Sequence, residues 1–238
     1  MGGGAYEIKP PKEILKYEFD TVVLGTFTGL DELKDQLLEM GILEEKIDST
    51  YIESSVRARI AFLEDFAGVA LEKNLPGNVA ELGVYRGDFA RHINANFPNK
   101  KLYLFDTFEG FSEKDIALEG NFSSSQNKHF SNTNIELVLE KMPYRENCII
   151  KKGWFPQSAK DVMDNFCFVN LDADLYMPIL EGLNFFYPKM VKGGVILIHE
   201  YFSKGYKGVK KAYEDFSADK NIISLPIGDN LSLAIIKT

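Results

Sequence analysis

The sequence predicts an α/β fold in which a doubly wound, mostly parallel sheet has helices on both faces. Short apolar runs alternate with helical patterns along most of the chain, and the runs are continuously apolar. Continuous apolar strands are typical of a parallel sheet that is covered on both sides, and strand–helix alternation indicates the doubly wound arrangement. The predicted strands are 78–84, 101–107, 148–154, 166–174, 194–201 and 231–237. The predicted helices between and after them are 87–96, 134–142, 157–164, 178–189 and 207–218.

Residues 1–50 form a small N-terminal strand–helix extension in this prediction, and residues 51–238 form the main domain. Residues 18–26 are expected to form a short buried strand. Residues 30–40 are expected to form an amphipathic helix that ends at Gly41. One face of this helix carries Leu33, Leu37 and Leu38. A single strand–helix pair is too small to fold alone, so we expect it to dock on the main domain or on a partner chain.

The main domain is expected to open with a long helix over residues 51–73, which Pro-Gly-Asn at 76–78 ends. Residues 112–133 depart from the alternation because they are polar and rich in Ser and Asn. Structureless connections of this length are usually active-site lids or disordered segments. We therefore expect no regular structure in this segment.

Composition narrows the functional classes. Of the 238 residues, 45% are hydrophobic and 26% are charged, as in an ordinary globular domain. The net charge of −8, without a basic stripe, argues against nucleic-acid binding. No apolar run approaches the ~20 residues of a membrane helix, and the first residues lack the apolar centre of a signal peptide. Cys148 and Cys167 lie in apolar runs, so we interpret them as buried thiols in a reducing cytoplasm.

The segment VAELGVYRGDF at residues 79–89 is the most informative motif. An apolar strand reaches Glu81 and Gly83, Gly87 precedes a predicted helix, and the next strand ends at Asp106. Ligands of doubly wound sheets bind beyond the carboxyl ends of the strands. An acid at the end of the second strand commonly accepts hydrogen bonds from ribose hydroxyls. The motif predicts a nucleoside site, in which Gly83 would let the backbone approach the ligand and Gly87 would relax the entry into the helix.

The glycine spacing argues against a cofactor that carries a diphosphate. A dinucleotide site has the pattern G-x-G-x-x-G, with a helix N-terminus bonded to the pyrophosphate, whereas this chain has G-V-Y-R-G from Gly83. Glu81 also suits a cation better than a diphosphate. S-adenosylmethionine carries a sulfonium and an ammonium group and no phosphate, so it is the predicted cofactor. The alternative is that Glu81 caps a turn and Gly83 is a structural bend.

Two further strand ends carry ionisable side chains. FVNLDADLY ends one strand with Asp172 and Asp174, and GVILIHEY ends the next with His199 and Glu200. We expect these four groups to converge beside the cofactor. Oxygen and imidazole ligands suit a hard or borderline divalent ion, and a group left free could act as a general base. The alternative is that the acids cap helices, with Asp174 capping a helix that begins at Pro178.

A third strand end carries an aromatic pair. The only tryptophan, Trp154, follows Gly153 and precedes Phe155. The pair could stack on the adenine of the cofactor or pack against the end of the sheet, and the sequence does not decide between these. Gly153 and Trp154 are therefore candidates for the cofactor site.

Four blocks of the sequence resemble the macrocin O-methyltransferase family of class I, S-adenosylmethionine-dependent enzymes. The resemblance rests on PGNVAELGVYRGDFA at 76–90, LYLFDTFEGF at 102–111, the long block at 168–201 and GVKKAYEDF at 208–216. It covers the chain from about residue 50 to the C-terminus. The Asp-x-Asp-Leu-Tyr block, followed by Tyr-Pro-Lys and Gly-Gly, is more specific than the glycine motif.

The resemblance implies methyl transfer to a sugar hydroxyl, often with magnesium. With the strand-end aromatics included, the expected cofactor-binding residues are Glu81, Gly83, Tyr85, Asp106, Thr107, Phe108, Gly153, Trp154 and Asp172. Asp172 would also be a metal ligand, and Asp174 would be the base for the acceptor hydroxyl. The family usually has two consecutive aspartates after the next strand, where this chain has His199–Glu200. This pair either completes the metal site or provides His199 as the base.

The acceptor is expected to be a small-molecule sugar or nucleotide sugar. The segment FDTVVLGTFTGLDELKDQLLEMGI looks like a strand–helix piece of proteins in nucleotide-sugar and surface-polysaccharide pathways. This likeness favours a nucleotide-linked or polysaccharide sugar, such as a heptose. Two other classes stay open, namely a NAD-dependent sugar oxidoreductase and a non-catalytic nucleotide-sugar binding protein. The sequence leaves the oligomeric state open, including a homo-oligomer.

Overall fold

The structure is a computed structural model that describes residues 7–26, 30–126 and 129–238. For Asp31 it describes the backbone only. Contacts divide the chain into two compact units, and the boundary along the chain lies between Val56 and Arg57. This division falls within the helix that the sequence places at the start of the main domain.

The first unit contains a short parallel ribbon and one helix. β1 (Val22–Val23) pairs in parallel with β2 (Ile47–Asp48), and α1 (Leu30–Glu39) lies between them in the chain. The buried core of this unit consists of Leu24, Leu37 and Ile42.

Two expectations for this unit were wrong in part. The strand predicted over 18–26 is limited to β1, and Val23 is exposed rather than buried. Leu38 is exposed, and of the predicted helix face only Leu37 is fully buried. The core is small, so it covers a narrower stripe of α1 than the leucine spacing suggests. Gly41 has a φ of +85° just after the helix, which confirms it as the stop.

The second unit contains a seven-stranded sheet, reached through α2 (Thr50–Glu72). Its strands are β3 (Asn78–Leu82), β4 (Leu102–Asp106), β5 (Cys148–Lys152), β6 (Phe166–Leu171), β7 (Met190–Ile198), β8 (Ile223–Pro226) and β9 (Leu233–Ile236). Its helices are α3 (Ala90–Asn96), α4 (Glu113–Glu119), α5 (Ile135–Glu140), α6 (Tyr176–Phe186) and α7 (Lys207–Ser217). The strand order is β5-β4-β3-β6-β7-β9-β8, in which the first five strands are parallel and β9 is antiparallel to both neighbours.

The predicted doubly wound fold is confirmed. From β3 the chain moves outward through β4 to β5, then returns to β6 and continues to β7 on the other side. A crevice opens beyond the carboxyl ends of the strands at such a reversal, and ligands bind there. Alternate residues of β4 enter two different hydrophobic clusters, Leu102 and Leu104 in one, and Tyr103 and Phe105 in the other. Both faces of the sheet are therefore covered, which explains the continuous apolar runs.

Three local expectations for the second unit were wrong. The helix predicted over 157–164 is a single turn, and the edge strand β8 was missed because its residues are mostly exposed and form no apolar run. Residues 112–133 contain α4, although they were expected to be irregular. Ser112 caps this helix by accepting a hydrogen bond from the Asp115 N–H. A serine followed three residues later by an acid is a local helix-start signal, and the polar composition obscured it.

The fold also bears on the expectations for the two cysteines and for membrane-spanning segments. Both cysteines are free thiols, but only Cys167 is fully buried, and Cys148 at the start of β5 is partly buried. Burial raises the pKa of Cys148 to about 11 and also raises that of Cys167. In the part of the chain that the structure describes, no helix has both the length and the apolar character of a membrane span.

Asp164 joins the amino ends of three neighbouring strands. It precedes β6, and its Oδ2 accepts hydrogen bonds from Asn78 Nδ2 at 2.7 Å and from the Tyr103 hydroxyl at 2.6 Å. The pKa of the Asp164 carboxyl is lowered, and the hydrogen bond from Tyr103 is the main cause. This edge of the sheet lies opposite the carboxyl ends of the strands.

We expect Asp164→Asn to lower the free energy of unfolding by about 1 kcal/mol at neutral pH, since the carboxyl is partly exposed. Because the folded-state pKa is lowered, the ionised group stabilises the fold above the ordinary value of 3.8, and this contribution is lost as the pH falls through the folded-state pKa. Urea unfolding of both proteins at neutral and acid pH measures this. A difference that persists at acid pH would show that ionisation of Asp164 is not the cause.

Candidate active site

The loops after four parallel strands each hold a non-glycine residue in the left-handed region. These residues are Tyr85 after β3, Phe108 after β4, Asp174 after β6 and Glu200 after β7, with φ of 49°, 54°, 60° and 59°. Such conformations cost of order 1–3 kcal/mol each, persist where the surroundings hold them, and cluster at functional sites. The carboxyl edge of the sheet is therefore the candidate active site. The sequence carries no signal for these conformations.

Asp106, the last residue of β4, organises the loops on both sides of it. Its Oδ2 accepts hydrogen bonds from the N–H groups of Val84 at 2.7 Å and Tyr85 at 2.9 Å, and its Oδ1 accepts from the N–H of Phe108 at 2.7 Å. The Thr107 hydroxyl bonds within its own turn. It also lies 3.5 Å from Asp106 Oδ1, so most accepting positions of this carboxylate are used within the protein. Ribose binding by Asp106 stays a prediction.

The same hydrogen bonds bear on the choice of cofactor. A phosphate-binding loop presents free backbone N–H groups after the first strand. Here the N–H groups of Val84 and Tyr85 are donated to Asp106, whose negative charge would also repel a phosphate. The arrangement disfavours a dinucleotide, in agreement with the glycine spacing.

Gly83 is required by its contact with the neighbouring loop, and its approach to a ligand stays a prediction. It has a φ of +86°, and a Cβ built on it would lie 2.1 Å from the backbone oxygen of Asp172. The N–H of Asp172 donates to the carbonyl of Leu82 at 2.8 Å. The ends of β3 and β6 are therefore in direct contact, and this contact fixes Asp172 beside the loop that carries Tyr85.

A buried hydrogen-bonded chain joins β3, β6 and α2. Asn170, fully buried within β6, donates from Nδ2 to Glu81 Oε1 at 2.7 Å and accepts at Oδ1 from Arg59 Nη2 at 2.9 Å. Arg59 Nη2 also lies 2.9 Å from Asp172 Oδ2, and the guanidinium lies 4.0 Å from the centre of the Phe89 ring. Sequence reasoning missed both Asn170 and Arg59. A polar side chain inside an apolar strand was a visible signal for Asn170, and Arg59 has none.

Glu81 does not cap a turn, which contradicts that alternative. It lies inside β3 at 1% exposure, and its Oε2 has no hydrogen-bond partner among the described residues. Burial, followed by the charge of Asp172, raises the pKa of Glu81 well above its usual range. A buried carboxyl with one unfilled oxygen fits a positively charged donor, such as the ammonium group of S-adenosylmethionine.

Asp174 lies in an acidic cluster with Asp172 and Glu200. Burial, followed by the charges of Asp172 and Glu200, raises the pKa of Asp174 well above its usual range. Burial also raises the pKa of Glu200. The pKa of the Tyr206 hydroxyl is raised by burial and then by all three of these carboxyls. The structure therefore brings the predicted strand-end acids together.

The first turn of α6 is capped from α4 and not by Asp174. The N–H of Tyr176 donates to Glu119 Oε2 at 2.7 Å, and Glu119 is buried. The helix begins at Tyr176, two residues before the predicted Pro178, and its N-cap residue makes no side-chain cap bond. The capping alternative for Asp174 is therefore contradicted, and α4 is anchored at the strand end that carries the acids.

The aromatic pair after β5 divides between two roles. Phe155 is buried in the core of the sheet, whereas Trp154 is partly buried and its Nε1 donates to both carboxylate oxygens of Asp115 in α4 at 3.0 Å. The N–H of Gly153 donates to the carbonyl of Asp106 at 2.9 Å. These contacts place the loop beside the end of β4, and contact of Trp154 with adenine stays a prediction.

His199 has a defined tautomer. Its Nδ1 lies 3.0 Å from Ser232 Oγ, which donates to Asp229 Oδ2 at 2.5 Å. Because the serine proton is used towards Asp229, Nδ1 of His199 is the donor, and Nε2 carries the lone pair and lies 3.6 Å from Glu200 Oε1. Burial, followed by the charge of Arg59, lowers the pKa of His199 to about 4, so the ring is neutral near pH 7. Sequence reasoning missed Ser232 and Asp229.

The expected metal ligands Asp172, His199 and Glu200 meet at neighbouring strand ends without forming a metal centre. Within residues 7–26, 30–126 and 129–238, no three His, Cys, Asp or Glu side chains are arranged to hold a metal ion. Burial opposes ionisation of Asp172, but the positive charge that His199 carries when protonated and the permanent charge of Arg59 outweigh it and lower the pKa of this carboxyl. The donor set therefore does not fit the predicted magnesium.

Taken together, the sheet order and the site at its carboxyl edge define the class of protein as the class I, Rossmann-like methyltransferase fold. A solved structure of the O-methyltransferase NovP matches with a TM-score of 0.62 at 19% identity, over 76% of this chain and 80% of that chain. CalS11, a calicheamicin methyltransferase, matches with a TM-score of 0.62 at 16% identity, over 87% of this chain and 84% of that chain.

The chain belongs to the macrocin-O-methyltransferase (TylF) family, whose model matches residues 49–230. It is 25% identical over 173 residues to the mycinamicin III 3''-O-methyltransferase of Micromonospora griseorubida, covering 66% of this chain and 68% of that protein. It is 23% identical over 155 residues to the demethyldecarbamoylnovobiocin O-methyltransferase of Streptomyces niveus, covering 58% and 56%. The predicted family resemblance is confirmed.

Proposed function

We propose that this chain transfers a methyl group from S-adenosylmethionine to a hydroxyl group of a sugar. The carboxyl of Asp174 carries this proposal. It follows the strand at which the sheet order reverses, it sits on a left-handed residue, and it does not cap the helix that follows. Membership of the macrocin-O-methyltransferase family supports the reaction type.

In this proposal the residues divide into binding and proton-transfer roles. Glu81 accepts the ammonium group at its unfilled Oε2, and the loops held by Asp106 enclose the nucleoside. When bound, the cofactor supplies a methyl group on a sulfonium that needs no activation. Asp174 accepts the proton of the acceptor hydroxyl, and burial beside Asp172 and Glu200 makes its carboxylate more basic than a free one. His199 is the other candidate base, and its lowered pKa of about 4 makes it a weaker base than a free imidazole.

The proposed acceptor is a nucleotide-linked or surface-polysaccharide sugar, such as a heptose. The likeness of the N-terminal segment to proteins of those pathways supports this choice. A structure that shares the fold is described as a TDP-rhamnose 3'-O-methyltransferase, which names a nucleotide-linked sugar for that protein. We assign α4 to the wall of the acceptor pocket, since Glu119 anchors it beside the acids.

Calorimetry with S-adenosylhomocysteine and with NAD tests the cofactor. We expect S-adenosylhomocysteine to bind and NAD not to bind. Glu81→Gln should weaken S-adenosylhomocysteine binding about tenfold or more, since a hydrogen bond to a charged group is worth about 1.5–3 kcal/mol. Glu64→Gln, at an exposed position of α2, is the matched control and should bind normally. Binding of NAD alone would point to an oxidoreductase and contradict the proposal.

Incubation with labelled S-adenosylmethionine and a panel of nucleotide sugars tests the reaction. We expect label to move to at least one sugar. A protein that binds the sugars but moves no label would instead belong to the non-catalytic binding class.

A further inference from the structure

Arg59 is bound to Asp172, the residue that was expected to hold a metal ion. Its Nη2 lies 2.9 Å from Asp172 Oδ2 and 2.9 Å from Asn170 Oδ1, and the two charged side chains are 10% and 21% exposed. The guanidinium also lies over the ring of Phe89. An arginine stays charged at every physiological pH. The chain therefore places a fixed positive charge of its own at these strand ends.

His199 and Glu200, the other two side chains of the expected donor set, lie against protein groups. His199 uses Nδ1 towards Ser232, and its Nε2 faces Glu200 at 3.6 Å. Arg59 Nη2 occupies Oδ2 of Asp172, so a divalent ion bound to the other oxygen of this carboxylate would lie close to the guanidinium charge. Two positive charges held close together in a mostly buried site repel each other, which disfavours a divalent ion beside Arg59.

The position of Arg59 is held from several sides. Asn170 fixes Nη2, Phe89 covers one face of the guanidinium, and the side chain is nine-tenths buried. Its Nε has no hydrogen-bond partner within the described residues. An arginine that merely balanced surface charge would not be buried with one donor unfilled. The arrangement is that of a site built around the cation.

We propose that Arg59 takes the place of a divalent metal ion in this site, and that methyl transfer by this chain needs no metal. This rests on the proposed function. In the reaction a bond forms between the acceptor oxygen and the methyl carbon while the bond from that carbon to sulfur breaks. The electron pair of the broken bond stays on sulfur, and the hydroxyl proton goes to Asp174. Arg59 keeps its protons and is a positioning residue that acts through Asp172.

Titration with Mn²⁺, followed by the electron paramagnetic resonance signal of the free ion, tests the site without any acceptor. We expect wild type to bind no Mn²⁺ that depends on Asp172. Stoichiometric binding by wild type that Asp172→Asn abolishes would overturn the proposal. This measurement stays decisive even if no acceptor is found.

Methyl transfer supplies the second test. We expect wild type to keep its rate after treatment with EDTA, and added Mg²⁺ not to raise it. Arg59→Gln should lower kcat about tenfold or more, because Asp172 loses the hydrogen bond that holds it in place. In Arg59→Ala, millimolar guanidinium should restore part of the rate. Arg57→Gln, at an exposed position of the same helix, is the control and should keep wild-type kcat. Arg59→Lys keeps the charge and should fall between wild type and Arg59→Gln.

The outcomes separate the two proposals. Activity that EDTA abolishes and Mg²⁺ restores would leave the methyltransferase assignment standing and overturn the role of Arg59. An unchanged kcat in folded Arg59→Gln would overturn it as well. If wild type methylates nothing, the proposed function fails, and the Mn²⁺ titration alone decides on Arg59.

Discussion

Asp174→Asn is expected to lower kcat for methyl transfer by about 10²-fold or more, because it removes the group that accepts the hydroxyl proton. The substitution is conservative in shape, and asparagine tolerates the left-handed conformation that Asp174 adopts at a φ of 60°. The fold and the cofactor site should therefore persist. Steady-state kinetics with labelled S-adenosylmethionine measures the loss, and calorimetry with S-adenosylhomocysteine should give an affinity near that of wild type.

His199→Gln is the matched comparison, because His199 is the other candidate base. Its neutral ring is held by Ser232 and its pKa is lowered to about 4, so we expect a smaller loss of kcat than in Asp174→Asn. A larger loss in His199→Gln, with normal turnover in Asp174→Asn, would transfer the role of base to His199.

Gly83→Ala is expected to lower the free energy of unfolding by about 2–5 kcal/mol. An L residue in the left-handed region costs about 1–2 kcal/mol, and overpacking adds about 1–3 kcal/mol. The overpacking is severe here because the new Cβ would lie 2.1 Å from a backbone oxygen, that of Asp172, which cannot rotate away. Urea unfolding measures the change, and calorimetry should show weaker cofactor binding because the β3 and β6 loops are forced apart.

Two other glycines separate the causes. Gly228 has nearly the same φ, +84°, with nothing within 4 Å of a Cβ, so Gly228→Ala should show the backbone cost alone. Gly68 lies in α2 with open space around it, and Gly68→Ala should be neutral or stabilising by up to about 1 kcal/mol. A loss in Gly83→Ala no larger than that in Gly228→Ala would show that the contact with Asp172 is not tight.

The sequence predicted which ionisable residues lie at the carboxyl edge of the sheet wherever position along a strand was sufficient. Glu81, Asp106, Asp172 and Glu200 were found because polar residues at the end of an apolar run stand out, and because parallel strands end at one edge of the sheet. The contacts that these residues make were harder to predict from the sequence. Asp106 was expected to face a ribose, and most of its accepting positions are filled by three backbone N–H groups. Gly83 was expected to make room for a ligand, which stays a prediction, and the structure adds that it makes room for the carbonyl of Asp172.

Secondary structure was likewise predictable where it left a local pattern and not where it depended on distant contacts. The strands of the covered sheet left continuous apolar runs, whereas β8 left none because its residues are mostly exposed. The helix α4 was hidden in a polar segment, and its anchor to α6 joins Glu119 to Tyr176, which lie 57 positions apart. Contacts of that range leave no local pattern in a single sequence.

By itself the sequence determined the doubly wound fold, the family, and the strand ends at which the acids lie. Those features follow from apolar periodicity and from motifs that are contiguous in the chain. Only the tertiary structure decided which partner each ionisable group has. Arg59 and Asn170 are 111 positions apart and meet at 2.9 Å, so the cation at Asp172 is chosen by packing and not by any motif. The tautomer of His199 depends in the same way on loops that come together only in the folded chain. So does the finding that Glu119, and not Asp174, caps α6.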